Sequence, residues 1–332
     1  MSAITLTPCS YFNIKFENNT TGIFHPGDTM NGLKLEVVGI ANCAWTKRKI
    51  YKTVKYEGSQ KFMEHVSHFF GRVDGAAIEV SVGVHLYKFS CVIPITAVSS
   101  YEGTYGSIKY SMKVTLDIPH MRDIVYEKPF TIVRMENLNN FPWLRCKSDS
   151  ETDVGDGIDC CETMPLVVSM KISKSGFVAG EELKTRIEAC NQGPSKYSKT
   201  TLTLFRTETC SSQFPIISTK KSFFPIAVTS ARSIKPFEST FFEQSLMIPK
   251  ELHGSSPISS ETVRIGYVLR FCTKSNRRTT VKTDIPVFIG HIPFVEKNDD
   301  DKDECDKHSE PVKVNNGRRS HRAELIEKSE LI

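Results

Sequence analysis

Cys160 and Cys161 stand side by side, and adjacent thiols near a surface can carry a palmitoyl chain as a reversible membrane anchor. Plain thiols are the alternative reading. As metal ligands the pair lacks company: the chain has no C-x-x-C, and His65 and His68 have no second pair to complete a zinc site. A second chemistry is charge. Lys47, Arg48 and Lys49 follow Trp45, with Lys52 and Lys55 soon after, so a loop here could meet acidic lipid headgroups or a phosphorylated cargo tail. The same residues also fit a solvated charged loop, and Trp45 itself fits a core position. A third is capture in a groove. Glu327, Leu331 and Ile332 form an acid-x-x-x-L-I pattern, whose two apolar side chains can fill a clathrin-adaptor pocket beside a basic patch. So short a pattern also recurs by chance. Ser320, preceded by Arg318 and Arg319, has the surroundings of a kinase substrate. For catalysis there is no G-x-S-x-G, H-E-x-x-H, phosphate-binding glycine loop or dinucleotide fingerprint. A binding protein, not an enzyme, and no cofactor or metal are expected.

The elements that position these residues must come from a chain of 332 residues, long enough for two ordinary domains. Hydrophobic residues make up 39% and charged residues 24%, a globular balance. The net charge of +5 permits weak attraction to anionic membranes or acidic peptides. Acids interleave with the bases, so nucleic acid is not an expected partner. MSAITLTPCSYFNIKFENN has neither a basic start nor an apolar run, and no stretch approaches the ~20 apolar residues of a membrane span. Ten cysteines scattered through such a chain read as reduced, mostly buried thiols in a cytoplasmic protein. The sequons at Asn18 and Asn19 then carry no glycan.

One phrase occurs twice. Residues 24–28 read FHPGD and residues 177–181 read FVAGE, and each opens an alternating apolar run. Further landmarks repeat in the same order. Ile93-Pro94 and Ile248-Pro249 each close an apolar run; Ile108, Tyr110, Met112 and Val114 alternate as do Ile265, Tyr267, Leu269 and Phe271. Constant order at near-constant spacing predicts two similar domains in tandem. The first apolar set, Leu33, Leu35 and Val37, is out of phase with Leu183, Ile187 and Ala189, which a bulge at Gly32 would explain. Period-two alternation predicts strands over 78–84, 84–93, 108–116, 131–135, 166–172, 183–189, 200–206, 241–248, 263–271 and 281–289. The one helix-like spacing, Phe62, Val66, Phe69 and Phe70, is left unassigned. Short strands punctuated by turns predict an all-β chain of sandwiches. Pro26-Gly27 suits the centre of a type II turn, and Gly180 suits the same role.

Boundaries follow from composition. Residues 148–162 open with SDSETDVGDGID, acidic and poor in apolar residues, and read as a linker between domains at 1–147 and 163–294. Residues 295–332 swing from acidic to basic without a strand pattern and read as a disordered tail.

FHPGD, GIANCAW, GVHLYKFSCVIP, SSYEGTYGSIKY and ENLNNFPW together resemble the arrestin N-terminal domain in its α-arrestin, or arrestin domain-containing, form. SKSGFVAGEEL, EACNQG and IPVFIGHIPF resemble the arrestin C-terminal domain. The resemblance covers about residues 4–294. It implies two tandem arrestin-like β-sandwiches and a non-catalytic adaptor, cytoplasmic with recruitment to plasma membrane or endosomes. Such an adaptor binds cytoplasmic segments of membrane receptors or transporters and links them to endocytic, ubiquitylation and protein-transport machinery. The sequence departs from the family in one respect. None of its sixteen prolines is adjacent to another, so it has no P-P-x-Y motif, and a ubiquitin ligase would be reached indirectly. IKPFESTFFEQSLMIP lacks the cysteine used by the thioredoxin-binding member, so that activity is not expected. The alternative is a scaffold subunit of a sorting complex, of the retromer arrestin-fold type. A secreted immunoglobulin-type pair fits less well, because Trp45 lies too close to Cys43 for the usual spacing.

Overall fold

The computed structural model describes residues 4–5, 29–30, 32–70, 78–79, 93–94, 96–117, 122–154, 166–256, 260–275 and 280–295. The N-terminal half contains β1 (Ile4–Thr5), β2 (Thr29–Met30), β3 (Gly32–Arg48), β4 (Thr53–Phe70), β5 (Ile78–Glu79), β6 (Tyr101–Glu102), β7 (Gly106–Asp117), β8 (Ile124–Phe130) and β9 (Val133–Arg134). Two short 3-10 turns follow, Leu138–Asn140 and Pro142–Arg145. The C-terminal half contains β10 (Ser148–Val154), β11 (Leu166–Ile172), β12 (Gly176–Val178), β13 (Glu182–Asn191), β14 (Tyr197–Ser212), β15 (Ser218–Ser230), β16 (Ser239–Met247), β17 (Val263–Ser275) and β18 (Thr280–Gly290). Among the described residues no helix is long and apolar enough to cross a membrane.

The C-terminal domain is a sandwich of two sheets, β10-β11-β13-β16 and β12-β18-β17-β14-β15. All pairings in it are antiparallel except β12 with β18. Alternation explains which side faces inward. Leu166, Val168, Met170 and Ile172 of β11 are buried, as are Leu183, Ile187 and Ala189 of β13. They meet Leu202, Leu204, Leu269, Phe271, Ile285 and Val287 of the opposite sheet in one core. Each of these side chains larger than alanine contributes about 1.5–3 kcal/mol when fully buried. In the N-terminal half β4-β3-β7 run side by side, and β6 and β8 both pair with β7. Leu35, Val37, Ala41, Cys43, Trp45, Ile108, Tyr110 and Val114 fill its core.

The second copy of the repeated phrase is a turn, as expected. Glu181 N–H donates to Val178 O at 3.2 Å, and Gly180 sits at φ +85°, a position where a side chain would be strained. The first copy, FHPGD, lies outside the described residues.

Several expectations need correction. Residues 148–154, read as the start of a linker, form β10, paired residue for residue with β11 from Ser148–Ile172 to Val154–Leu166. An edge strand needs only backbone partners, so its acidic composition hid it. The helix-like spacing at 62–70 belongs to β4. The register of β3 slips against β4 between Leu33 and Lys34 and between Gly39 and Ile40, not at Gly32. β8 and β15 carry no clean alternation and were not expected; β15 contains Pro225, which suits only an edge. Cys43, Cys190, Cys210 and Cys272 are free, but Cys146 is disulfide-bonded, its partner outside the described residues. Compartment logic weighs cysteines one at a time, whereas pairing depends on which two the fold brings within reach.

Candidate functional site

The two domains are held by polar joints built from the sequence motifs themselves. In the first, Leu202, Leu204, Arg206, Glu208 and Cys210 share one phase of β14. That phase buries Glu208 completely. A buried carboxylate is tolerated when its lone pairs are occupied. Here Tyr101 Oη donates to it at 2.9 Å, Tyr105 N–H at 2.8 Å and Thr104 N–H at 3.2 Å, all from the other domain. Burial, and then the carboxylate, push the Tyr101 phenol well above its ordinary value. Arg206 lies over the rings of Tyr101 and Phe224 at 5.7 and 5.4 Å.

This joint explains the glycines of SYEGTYGSIKY. A Cβ at Gly103 would collide with Glu208 Oε2, and one at Gly106 would lie 2.8 Å from Val263. Further along, Cys43 Sγ donates to Ser211 O at 3.3 Å. Glu57 and Phe214 exchange backbone bonds of 2.9 and 3.0 Å, so β4 meets the turn after β14 edge to edge. Gln60 Oε1 accepts from Ser260 Oγ and Glu261 N–H, both at 2.8 Å. An open cleft of about 590 Å³ beside this seam is lined by Asn42, Glu57, Thr104, Gln213 and Phe214, among others.

The second joint brings ENLNNFPW against IGHIPF. His291 N–H and Ile292 N–H donate to Glu136 O at 2.8 and 3.1 Å, and Glu136 N–H donates to His291 Nδ1 at 3.1 Å. The last bond requires an unprotonated Nδ1. Burial, and then His253, hold the His291 pKa below its ordinary value, consistent with that state. Asn139 donates to Pro293 O at 2.8 Å and accepts from Val295 N–H at 2.9 Å. Arg145 lies 4.4 Å over the Phe294 ring.

Lys47, Arg48 and Lys49 lie at the end of the β3–β4 hairpin, all exposed and away from both joints. Trp45 is buried and stacks on Tyr56 at 5.5 Å, a core position. His65 is half-buried beside Ser67, with Ser67 Oγ 2.8 Å from its ring nitrogen, while His68, three residues on, lies on the opposite face of β4. Cys160, Cys161, Ser320, Glu327, Leu331 and Ile332 lie outside the described residues. Sequence reading missed Glu208 and Arg206. Their signal was there: two charges in the buried phase of an apolar strand.

The two domains have known counterparts. The N-terminal domain model of the arrestin (or S-antigen) family matches residues 12–139, and its C-terminal domain model matches residues 163–294. The chain belongs to the arrestin family. Among curated relatives, arrestin domain-containing protein 17 of Caenorhabditis elegans is 31% identical over 186 residues, covering 53% of this chain and 43% of the relative. Arrestin domain-containing protein 1 of Rattus norvegicus is 22% identical over 211 residues, covering 63% and 47%. Arrestin domain-containing protein 4 of Mus musculus is 24% identical over 200 residues, covering 53% and 48%. The matches span about half the length of these relatives. They support the α-arrestin form of the family, as the two sets of motifs implied.

Proposed function

We propose that this α-arrestin is a non-catalytic adaptor for cytoplasmic segments of membrane receptors or transporters. The observation that carries the reading is the lip of the C-terminal sandwich, where the edge strands β15 and β16 adjoin. Gln244 of β16 donates to Thr229 of β15 at 3.2 Å. The outer edge of neither strand is paired among the described residues. Phe223, Val228, Phe241 and Met247 are exposed along it. An extended cargo segment adding there would gain main-chain hydrogen bonds from the edge and specificity from alternate side chains. Cytoplasmic residence with recruitment to plasma membrane or endosomes belongs to the same reading.

Links to the machinery follow from the tail and from partners. Glu327, Leu331 and Ile332 would engage a clathrin adaptor, and Cys160 and Cys161 would add a lipid anchor. A ubiquitin ligase would be reached through a partner arrestin or a longer isoform, since this sequence holds no P-P-x-Y. Affinity purification from native cells with mass spectrometry tests the whole reading. Recovery of receptors or transporters with clathrin adaptors or ubiquitin ligases is the expected result. A single stable complex without membrane cargo would instead favour the scaffold alternative.

A further inference from the structure

The β3–β4 hairpin ends in a feature that cargo binding at β15 and β16 leaves unused. Its turn residues are Ile50 and Tyr51, 92% and 96% exposed. Lys49 N–H donates to Lys52 O at 2.8 Å and closes the turn around them. Two-residue turns favour Asn, Asp and Gly, whose conformational freedom suits them and whose side chains lose nothing in water. Isoleucine beside tyrosine gains nothing for folding there, because neither covers apolar surface of the protein. Single exposed apolar residues are ordinary. Two neighbours at the outermost point of a hairpin, inside a run of cations, are not.

The run is uniform in sign. Between Trp45 and Tyr56 the chain reads TKRKIYKTVK, with Lys47, Arg48, Lys49, Lys52 and Lys55 and no acid. Lys55 pairs with Glu57 at 2.6 Å. Among the described residues Lys47, Arg48, Lys49 and Lys52 pair with no acid, and all four are exposed. The stem beneath is fixed by the buried stack of Trp45 on Tyr56. Tyr51 stands six residues from Glu57, where the seam with the other domain begins, so the tip extends roughly 20 Å beyond it. The tip is also convex. Small-molecule sites are concave and an added peptide strand needs an open sheet edge, whereas a projecting apolar point suits a deformable medium.

We propose that this tip is an anchor for anionic membrane surfaces. Ile50 and Tyr51 enter the boundary between headgroups and acyl chains, where a tyrosine keeps its ring in the apolar layer and its hydroxyl wet. Lys47, Arg48, Lys49 and Lys52 lie among acidic headgroups, each strengthening partition about five-fold. The anchor does not rest on the identity of any cargo or ligase.

The test uses the full chain with phosphatidylcholine vesicles, with and without phosphatidylserine. Wild type sediments with the phosphatidylserine vesicles and not with phosphatidylcholine alone. Joint replacement Lys47→Ser, Arg48→Ser and Lys49→Ser lowers partition about 100-fold. Joint replacement Ile50→Ser and Tyr51→Ser lowers it about ten-fold or more, and salt then removes the remainder. A Tyr51→Trp variant gives a blue-shifted difference emission on binding. The anchor is overturned if anionic vesicles are not bound, if either joint variant binds as wild type does, or if the Tyr51→Trp emission stays put. It is equally overturned if the tip variants lose only a membrane protein's peptide and keep the vesicles. Failure with vesicles while cargo is still recovered from cells removes the anchor alone. Vesicle binding without any recovered cargo removes the adaptor reading alone.

Discussion

Tyr110 of the N-terminal domain and Tyr267 of the C-terminal domain occupy matching places in the repeat. Tyr110 is buried and donates its hydroxyl to Val98 O at 2.6 Å; Tyr267 is buried and donates to His253 O at 2.5 Å. Burial pushes both phenols up, Tyr267 to about 12. The same residue makes the same bond to an upstream carbonyl in each domain. Much earlier in each half the domains part. β3 runs on to Arg48, turns at Ile50-Tyr51 and returns as β4 in the same sheet. β13 stops at Asn191, and β14 continues in the opposite sheet. The difference lies in the last residues of the strand. Asn191 is buried, donates to Ser195 O at 2.8 Å and Lys235 O at 2.7 Å, and accepts from Gly193 N–H at 3.2 Å. A clamp of that kind redirects the chain, with Gly193 and Pro194 allowing the bend. TKRKIYKT has no such group, and the ladder runs to its end. Repeated cores with different strand endings give one half a sheet crossing and the other a projecting, basic tip.

The comparison can be broken most severely at the joint between the halves. Glu208→Ala leaves a phenol and two backbone N–H groups buried without their acceptor, and stability should fall by about 3 kcal/mol or more. Calorimetry is expected to resolve two transitions where wild type has one. A single unshifted transition would remove Glu208 from the role assigned to it. Next is the clamp: Asn191→Ala strands two carbonyls and an N–H, for an expected loss of about 2–3 kcal/mol in denaturant unfolding. No comparable loss is expected anywhere in TKRKIYKT.

Tyr110→Phe and Tyr267→Phe should each cost about 1–2 kcal/mol, since each strands one buried carbonyl. Similar losses in the two variants are the sign of a shared device; a silent variant would confine it to one domain.

The second joint should be sensitive to acid. The His291 pKa is held below its ordinary value near 6.5, so the unfolded chain binds the proton first. Its stabilisation is complete above the unfolded value and is lost as pH falls from there through the folded one. His253, lowered by burial and then by Arg206, acts in the same direction. Glu136, raised by burial, acts in the opposite sense, in a window opening near 4.5. The melting temperature should therefore drop between pH 7.5 and 5.5, and less so in His291→Asn, whose side-chain oxygen can still accept from Glu136 N–H. An equal drop in that variant would place the acid sensitivity elsewhere. The smallest effect is expected at the hairpin tip: Ile50→Ser with Tyr51→Ser should leave stability within about 0.5 kcal/mol of wild type.

The sequence by itself determined the strands whose apolar residues alternate and the repeat that sets two domains in tandem. β11 spans the predicted 166–172 without a shift, and β7, β13, β14, β16, β17 and β18 contain or nearly contain their predicted runs. Alternation records which residues face a core, and that is a local property. Tertiary structure alone decided the rest. β10 hid because an edge strand is held by backbone bonds that acidic side chains do not disturb. Glu208 hid because a buried charge is explained only by donors about a hundred residues away in sequence. Three of the motifs that identify the family, SYEGTYGSIKY, ENLNNFPW and IGHIPF, turned out to build the joints. Their glycines and asparagines follow from what the other domain presses against them, and no reading of one strand at a time contains that contact.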